Sequence, residues 1–357
     1  MRRAIRYYGK EDVRLEEIEE PQVRAGTVKI APAFNGICGS DLHLFHDGPM
    51  APAPGADSPH PLSGETLPVG FGHEFSGVVE AVGEGVTDIA VGDRVAVEPL
   101  MVDGTCAACK AGKYNLCEKM GFIGVSGLGG GLSEHIVVEQ RWVHKVGEMP
   151  LDQAALIEPL SVAVHAIRHA GVTERDRGSV AVVGGAGPIG LLAAAVLRAY
   201  GLKTIVSEVS DLRREKALES GVADVVVNPA QEDLVEVVRR ETDGAMAQFA
   251  FDAACVGVVV DQLLSVLGGG GRLEVIAIHT KPYELNIVGA LTMQDRVFGS
   301  SIGYANDHAE SIRLVNEGLV NLEPFITSRI KADDIVADGY EKLLHDRSEV
   351  KILVSMS

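Results

Sequence analysis

Three cysteines are clustered in the segment DGTCAACKAGKYNLC (103–117), namely Cys106, Cys109 and Cys117. Two residues separate the first pair and seven separate the second pair. Thiolates are preferred ligands of structural zinc, and a closed tetrahedral site needs four ligands. The cluster therefore indicates either a zinc site whose fourth ligand lies elsewhere, or three reduced thiols without a metal.

A second set of possible zinc ligands is spread over the first half of the chain. GICGSDLH contributes Cys38, GFGHEFSG contributes His73, and ALIEPLSVAVHA contributes Glu158. A thiolate, an imidazole and a carboxylate would leave the open fourth position that a catalytic zinc needs. Spacing alone does not establish this site, because the three residues are far apart and a lone Cys is more often a small buried residue.

A glycine-rich turn in VAVVGGAGPIGLLAAAVL (180–197) has the form of a dinucleotide-binding fingerprint. The first glycine allows the tight turn, the second lets the backbone approach a pyrophosphate, and the third lets helix and strand pack closely. A strand pattern precedes the turn and a helix pattern follows it, as this function requires. The residues of the turn are Gly185, Gly187, Pro188, Ile189 and Gly190.

The choice between NAD and NADP depends on the residues after the next strand, which ends in IVSE. A carboxylate at Glu208 would accept hydrogen bonds from the 2′-hydroxyl of the adenosine ribose and would repel a 2′-phosphate. This predicts NAD. The alternative is that Arg213 and Arg214 bind the phosphate of NADP.

The elements that must position these residues change in character along the chain. Before about residue 155, short alternating β-branched runs such as TVKIAPAF and EFSGVVEAVG predict an antiparallel or barrel-like β domain. From about 178, apolar strands alternate with helical stretches, which predicts a parallel, doubly wound α/β sheet. A Pro-rich segment at 48–68 interrupts the β domain, and we expect a surface loop that forms part of the substrate wall.

Composition excludes several classes of function. The 357 residues carry a formal net charge of −18, which argues against nucleic acid or an anionic membrane as the partner. The uncharged stretch 179–197 has glycines and a proline in its middle, so strand–turn–helix is a better interpretation than a membrane span. Five cysteines without the pattern of a disulfide framework indicate a reducing cytoplasm.

Taken together, CGSDLH, GHEFSGVV, VGDRV, the cysteine lobe, EPLSV and GAGPIGLL occur in the order found in the zinc-dependent medium-chain alcohol and polyol dehydrogenases. The chain resembles this family over essentially its whole length. The resemblance implies a GroES-like β-rich catalytic domain, formed by 1–155 and 298–357, and a Rossmann NAD-binding domain at 156–297. Within the family the chain most resembles 2,3-butanediol dehydrogenases; sorbitol, L-iditol and L-threonine dehydrogenases are the alternatives.

The resemblance also implies roles for single residues. Cys38, His73 and Glu158 fall on the ligands of the catalytic zinc, and Glu74 falls on a carboxylate beside it. Ser40 and His43 fall on the proton relay that takes the hydroxyl proton while hydride passes to NAD.

The cysteine lobe of the family carries four cysteines spaced x2, x2 and x7. Counting back from Cys106 by this spacing leads to Asp103. Zinc accepts a carboxylate oxygen at nearly the distance of an imidazole nitrogen, so Asp103 with three thiolates predicts a second, structural zinc site.

Two alternatives from other classes remain: a zinc-free quinone reductase of the same fold, and a nucleotide-binding protein without catalytic activity. The presence of Cys38, His73 and Glu158 disfavours both. A homodimer or homotetramer is expected, because the glycine-rich turn at 268–271 leads into a strand, RLEVIAI, near a sheet edge that needs a partner.

Overall fold

The computed structural model describes residues 1–346 and 348–356. The chain forms two compact units. The first unit consists of Met1–Glu158 together with Ile326–Ser357, and the second consists of Pro159–Phe325.

The strands follow in chain order as β1 (Arg2–Gly9), β2 (Asp12–Ile18), β3 (Thr27–Gly36), β4 (Val69–Gly70), β5 (Glu74–Val82), β6 (Arg94–Val97), β7 (Leu100–Met101), β8 (Gly121–Phe122), β9 (Ile136–Glu139), β10 (Val143–Lys145), β11 (Val180–Gly184), β12 (Lys203–Ser207), β13 (Val225–Val227), β14 (Ala247–Asp252), β15 (Leu267–Val275), β16 (Val297–Ser300), β17 (Ile326–Lys331) and β18 (Lys351–Ser355). The α-helices are α1 (Gly39–Asp47), α2 (Ala107–Lys110), α3 (Leu151–Ala154), α4 (Ile157–His169), α5 (Pro188–Ala199), α6 (Asp211–Glu219), α7 (Leu234–Glu241), α8 (Gly257–Ser265), α9 (Ile287–Ala290), α10 (His308–Asn316) and α11 (Lys342–His345).

The first unit is built around β3. This strand pairs antiparallel with β5, β9 and β18, in a sheet whose main order is β10-β6-β5-β3-β18-β17. Apolar side chains of β3 and β5, among them Val28, Ile30, Phe75 and Val79, are fully buried in one core cluster. The β-branched alternation in the sequence therefore marks strands with one face on the core.

The end of the chain completes this sheet. β17 and β18 pair in parallel, and β18 continues the sheet by pairing antiparallel with β3, so that Leu353 lies opposite Gly36. Pairing with β3 is what places the last strands in the first unit.

The second unit contains a six-stranded sheet in the order β13-β12-β11-β14-β15-β16, and every neighbouring pair is parallel. If the six strands are numbered in chain order, with β11 as strand 1, their order in the sheet is 3-2-1-4-5-6. This is the doubly wound arrangement that binds dinucleotides where the order reverses. All five residues of β11 are buried, as are residues 190–197 of α5. The predicted fold class is confirmed.

The parallel sheet extends further along the chain than the expected boundary at 297. β16 is its sixth strand, and the second unit continues through α10 to Phe325. The pattern did not reveal β16 because the strand is short, lies at the sheet edge and has no buried residue. The first four residues of RLEVIAI (272–275) form the end of β15, which lies one strand inside that edge.

The uncharged stretch at 179–197 forms β11, a turn and α5. Among the described residues, no helix combines the length and the hydrophobicity needed to cross a membrane.

Gly187 at the N-cap of α5 and Gly190 in its first turn should respond differently to an added methyl group. A Cβ at Gly190 would lie 2.0 Å from the carbonyl oxygen of Gly185, whereas a Cβ at Gly187 meets nothing within 4 Å. Alanine has a helix propensity about 1 kcal/mol better than that of glycine. At position 190 the clash outweighs this gain, because the methyl group meets backbone and forces α5 away from β11.

We therefore expect Gly190→Ala to lower the free energy of unfolding by about 1–3 kcal/mol. Gly187→Ala should leave it within about 0.5 kcal/mol and weaken only NAD binding. Denaturant unfolding and NAD titration of both variants measure this. Equal stability of the two variants would contradict the packing role of Gly190.

Candidate active site and metal centres

Three donor atoms meet in the first unit: the Cys38 sulfur, a His73 ring nitrogen and a Glu74 carboxylate oxygen lie within 4.8 Å of one another. Cys38 follows β3 and is the N-cap of α1, while His73 and Glu74 stand where β5 begins. Sulfur, nitrogen and oxygen donors of this kind suit zinc. Antiparallel pairing of β3 with β5 joins these distant segments of sequence.

Asp41 orients both Cys38 and His73. Its Oδ2 accepts the backbone N–H of Cys38 at 3.0 Å, and its Oδ1 lies 3.3 Å from Nδ1 of His73. A carboxylate on one ring nitrogen directs the lone pair of the other nitrogen toward a metal. Burial lowers the pKa of His73, but Asp41 and Cys38 raise it more, so that it lies well above the ordinary value. The pocket attracts positive charge and fits a cation.

Glu74 is paired with a buried lysine. Nζ of Lys351 lies 2.8 and 2.6 Å from the two carboxylate oxygens and also donates to the carbonyl of Ile37 at 3.1 Å. Burial lowers the pKa of Lys351, whereas Glu74, Cys38 and Glu158 raise it, and the net shift is upward. Gly36 makes room for this pair, since a Cβ there would lie 2.3 Å from Glu74 Oε2.

Glu158 lies outside the group of three donors but within electrostatic reach of Lys351, and it is 6% exposed. Its role as third zinc ligand stays a prediction.

The two residues of the predicted relay lie on α1. Ser40 is exposed, with its Oγ 3.5 Å from Nε2 of His73. His43 is one turn further along and exposed, with Nδ1 3.1 Å from Asp47 Oδ2. A hydroxyl beside the metal pocket and an imidazole open to water share one side of the helix, since residues three apart are neighbours there.

The second donor group is the cysteine lobe. Donor atoms of Asp103, Cys106, Cys109 and Cys117 lie within 4.8 Å of one another, and all three cysteines are free thiols. Cys106 is the N-cap of α2, and its sulfur accepts the backbone N–H of Cys109. The four donors form the set expected for a closed structural zinc site.

Asp103 is held in place by the backbone of the lobe. Its Oδ1 accepts N–H groups of Cys106 at 2.9 Å and Thr105 at 2.8 Å, which hold its pKa well below the ordinary value. Its own N–H donates to Cys117 Sγ at 3.4 Å. Burial, together with Cys106 and Cys117, raises the pKa of Cys109 to about 12. Zinc would displace that proton, because it binds thiolate.

The cofactor turn has the backbone that its glycines imply. Gly185 adopts φ 94°, a left-handed conformation that favours glycine. Gly187 is the N-cap of α5, Pro188 begins the helix, and Ile189 and Gly190 follow. Open space at Gly187 and the N-terminus of a 12-residue helix fit a pyrophosphate.

Glu208 stands directly after β12 and faces this turn. Its Oε2 accepts the N–H of Ala186 at 2.9 Å, and its Oε1 accepts that of Ser210 at 2.9 Å. Arg214 donates to the Glu208 carbonyl and pairs with Asp211, so it is engaged locally. Arg213 lies on α6 and is half-buried. A carboxylate in this place fits a ribose and opposes a 2′-phosphate.

Two residues of the zinc pocket received no role from the sequence. Asp41 lies inside the CGSDLH segment, so the search for a carboxylate near a metal-binding histidine could have found it. Lys351 lies in an apolar strand, EVKILV, where a single lysine gives no sign that it will be buried.

Family models match both units. Residues 24–148 match the alcohol dehydrogenase GroES-like domain, and 188–317 match the zinc-binding dehydrogenase domain. An (R,R)-butanediol dehydrogenase of Neisseria gonorrhoeae is 50% identical over 99% of both chains, and one of Bacillus subtilis is 38% identical over 99% of both chains. The chain belongs to the zinc-dependent medium-chain alcohol dehydrogenases.

Solved structures agree with this assignment. The crystal structure of 2R,3R-butanediol dehydrogenase from Bacillus subtilis matches with a TM-score of 0.92 and 37% identity over the full length of both chains. This medium-chain dehydrogenase is therefore an oxidoreductase that uses zinc and NAD.

The cysteine lobe predicts two zinc ions per chain. Cys109→Ser should remove one zinc and lower stability, because a closed site contributes folding energy. Asp103→Cys should keep both and hold the lobe zinc more tightly against a chelator, since thiolate is the softer ligand. Cys255→Ser is the control, because this exposed cysteine is in neither donor group.

Elemental analysis after purification without chelator gives the count. One zinc per chain in the unmodified dehydrogenase, unchanged in Cys109→Ser, would rule out a metal in the lobe.

Glu208 predicts the cofactor preference. Glu208→Ser removes the repulsion of a 2′-phosphate, so the ratio of kcat/KM for NAD to that for NADP should fall, mainly through better use of NADP. Glu219→Ser, at the exposed end of α6, is the matched control and should leave the ratio unchanged. A preference of the unmodified enzyme for NADP would contradict this role of Glu208.

Proposed function

We propose that this dehydrogenase oxidises a vicinal diol with NAD, and that its substrate is (2R,3R)-2,3-butanediol, which gives acetoin reversibly. The diol carbon loses hydride to NAD, its hydroxyl loses a proton, and the products are the hydroxyketone, NADH and H⁺. The full-length similarity to butanediol dehydrogenases supports the substrate. The single observation that carries the chemistry is the Cys38–His73–Glu74 donor group beside the Ser40 hydroxyl.

When bound, zinc would act as a Lewis acid on the substrate oxygen, and NAD would accept the hydride. We assign Cys38, His73 and Glu158 as its ligands. Asp41 keeps the His73 ring in one orientation through the contact at Nδ1. Lys351 neutralises Glu74 in an ion pair that is almost inaccessible to water, and the pair fixes this carboxylate beside Cys38 and His73.

Ser40 takes the hydroxyl proton in this scheme. Its Oγ is on the same side of the pocket as Nε2 of His73, and it is exposed. His43 passes the proton to water, because its ring is exposed. The Asp47 carboxylate, 3.1 Å from Nδ1 of His43, stabilises the ring when it carries the proton.

A vicinal diol is favoured for a physical reason. Its second oxygen can bind a nearby polar group, and two anchoring points hold the reacting carbon in one orientation. Polyol and amino-alcohol oxidation remain the alternative activities within the family. Similar proteins include a D-xylulose reductase of Aspergillus niger at 35% identity.

We further propose a homo-oligomer formed through the edge of the parallel sheet. β16 is the edge strand, and exposed apolar residues lie on or near it, among them Ile287, Val288, Met293 and Val297. Exposed edges and apolar patches of this kind usually bind a partner. Five free thiols support a reducing cytoplasm as the compartment. The size of the protein in solution tests the assembly.

Cys38→Ser tests the metal chemistry. It should abolish diol oxidation, by about a thousandfold or more, and leave NAD affinity nearly unchanged, because the cofactor residues belong to the other unit. Steady-state rates and NAD titration measure both, and near-normal turnover would remove Cys38 from the ligand set.

A panel of NAD-linked rates tests the substrate. The (2R,3R) diol should give the highest kcat/KM among the stereoisomers of 2,3-butanediol, sorbitol and L-threonine. A higher value for sorbitol or threonine would replace the proposed substrate while leaving the metal chemistry intact.

A further inference from the structure

A cavity of about 590 Å³ lies in the first unit, and Cys38, His73, Glu74 and Lys351 do not line it. Its walls are mostly apolar. They are formed by Leu62, Met101, Ile123, Leu128, Val138 and Trp142. A concave apolar site of this size with a few polar groups is typical of small-molecule binding.

Arg2 lines the same cavity and is buried, with 8% of its surface exposed. Within the described part of the chain its one hydrogen bond is long, from Nη1 to Ser133 Oγ at 3.4 Å, and its Nε has no partner there. Among the described residues, no carboxylate lies within the 4.0 Å of an ion pair. A buried guanidinium without a direct counter-ion is costly, and an anion in the cavity would relieve that cost.

The nearby carboxylates do not form an ion pair with Arg2. Glu20 interacts with Arg2 over a distance, but its carboxylate pairs with Lys29 at 2.9 Å and His135 at 2.7 Å. Burial lowers the pKa of Arg2, Glu20 raises it and Arg6 lowers it. Because the intrinsic pKa of arginine is so high, Arg2 keeps its charge near neutral pH.

The acids that line the cavity are also engaged. Glu139 pairs with Arg141, and Glu65 accepts the N–H of Leu128 at 2.8 Å. Asp103 accepts two N–H groups of its own lobe. These contacts leave Arg2 as the buried charge that faces the cavity without an ion-pair partner.

We propose that this cavity is a binding site for an amphiphilic monocarboxylate, with the carboxylate on Arg2 and the hydrocarbon chain along the apolar walls. A guanidinium forms strong charge-assisted hydrogen bonds with a carboxylate, so the charge of Arg2 favours this group. The rim supports the apolar part of the ligand, since Leu128 is 48% exposed there.

Trp142 makes the proposal directly measurable. It is the single tryptophan of the chain and lines the cavity, with the Arg141 guanidinium 4.5 Å from its ring centre. Intrinsic fluorescence therefore reports on this site. The zinc-loaded protein is titrated with decanoate below its micelle concentration, and a saturable change in Trp142 emission is expected. No saturable change would overturn the proposal.

Two variants test the role of Arg2. Arg2→Met keeps an apolar stem and removes the charge, so the apparent Kd for decanoate should rise about tenfold or more, while NAD-linked diol oxidation stays within about twofold. Arg14→Met is the matched control, since this arginine is exposed, pairs with Asp12 and does not line the cavity. An unchanged Kd in Arg2→Met would overturn the proposal.

Two further arms use protein with Arg2 in place. Decylammonium, of the same chain length and opposite charge, should give no saturable response, and a response equal to that of decanoate would overturn the carboxylate assignment. The Cys38→Ser variant, which lacks a proposed ligand of the catalytic zinc, tests whether decanoate binds at that metal instead. The response should persist in that variant, and its loss would place decanoate in the active site instead.

Discussion

The first unit depends on how it balances a buried concentration of negative charge. The carboxylates of Asp41, Glu74 and Glu158 lie near one another around the half-buried Cys38, and all three are 1–6% exposed. Isolated buried charges cost several kcal/mol each, so such a group persists only with positive charge beside it. Lys351 supplies one cation, and a divalent metal held by Cys38 and His73 would supply the rest.

This requirement explains features of the fold that seem unrelated. Lys351 reaches Glu74 only because β18 pairs with β3, which brings the end of the chain back to the first unit. Gly36 belongs to β3, which lies between β5 and β18, and it stands opposite Glu74 on one side and Leu353 on the other. A side chain at Gly36 would collide with the ion pair between Glu74 and Lys351. Breaking a buried pair by removing one partner typically costs about 3–5 kcal/mol, because the other charge remains.

Local backbone geometry sets the other two sites. In the cysteine lobe, Asp103 accepts N–H groups of Thr105 and Cys106, so a short stretch of chain holds a carboxylate among three thiols. In the cofactor turn, Glu208 accepts the N–H of Ala186, which lies between the first two fingerprint glycines. Both arrangements use residues close in sequence or on adjacent parallel strands, so they need little from the remainder of the fold.

The sequence by itself determined the doubly wound α/β sheet, the glycine turn and the cluster of Cys106, Cys109 and Cys117, because periodicity and short spacings are local properties of the chain. The addition of Asp103 to that cluster came from the resemblance to the family's cysteine lobe. Tertiary structure alone decided that Lys351 is buried against Glu74, that Arg2 faces a cavity, and that β16 extends the parallel sheet. None of these has a local signal: a lysine or arginine in a strand is ordinarily solvated, and a four-residue edge strand shows no periodicity. Their environments come from strands and loops distant in the chain, whose approach is fixed only when the whole unit packs.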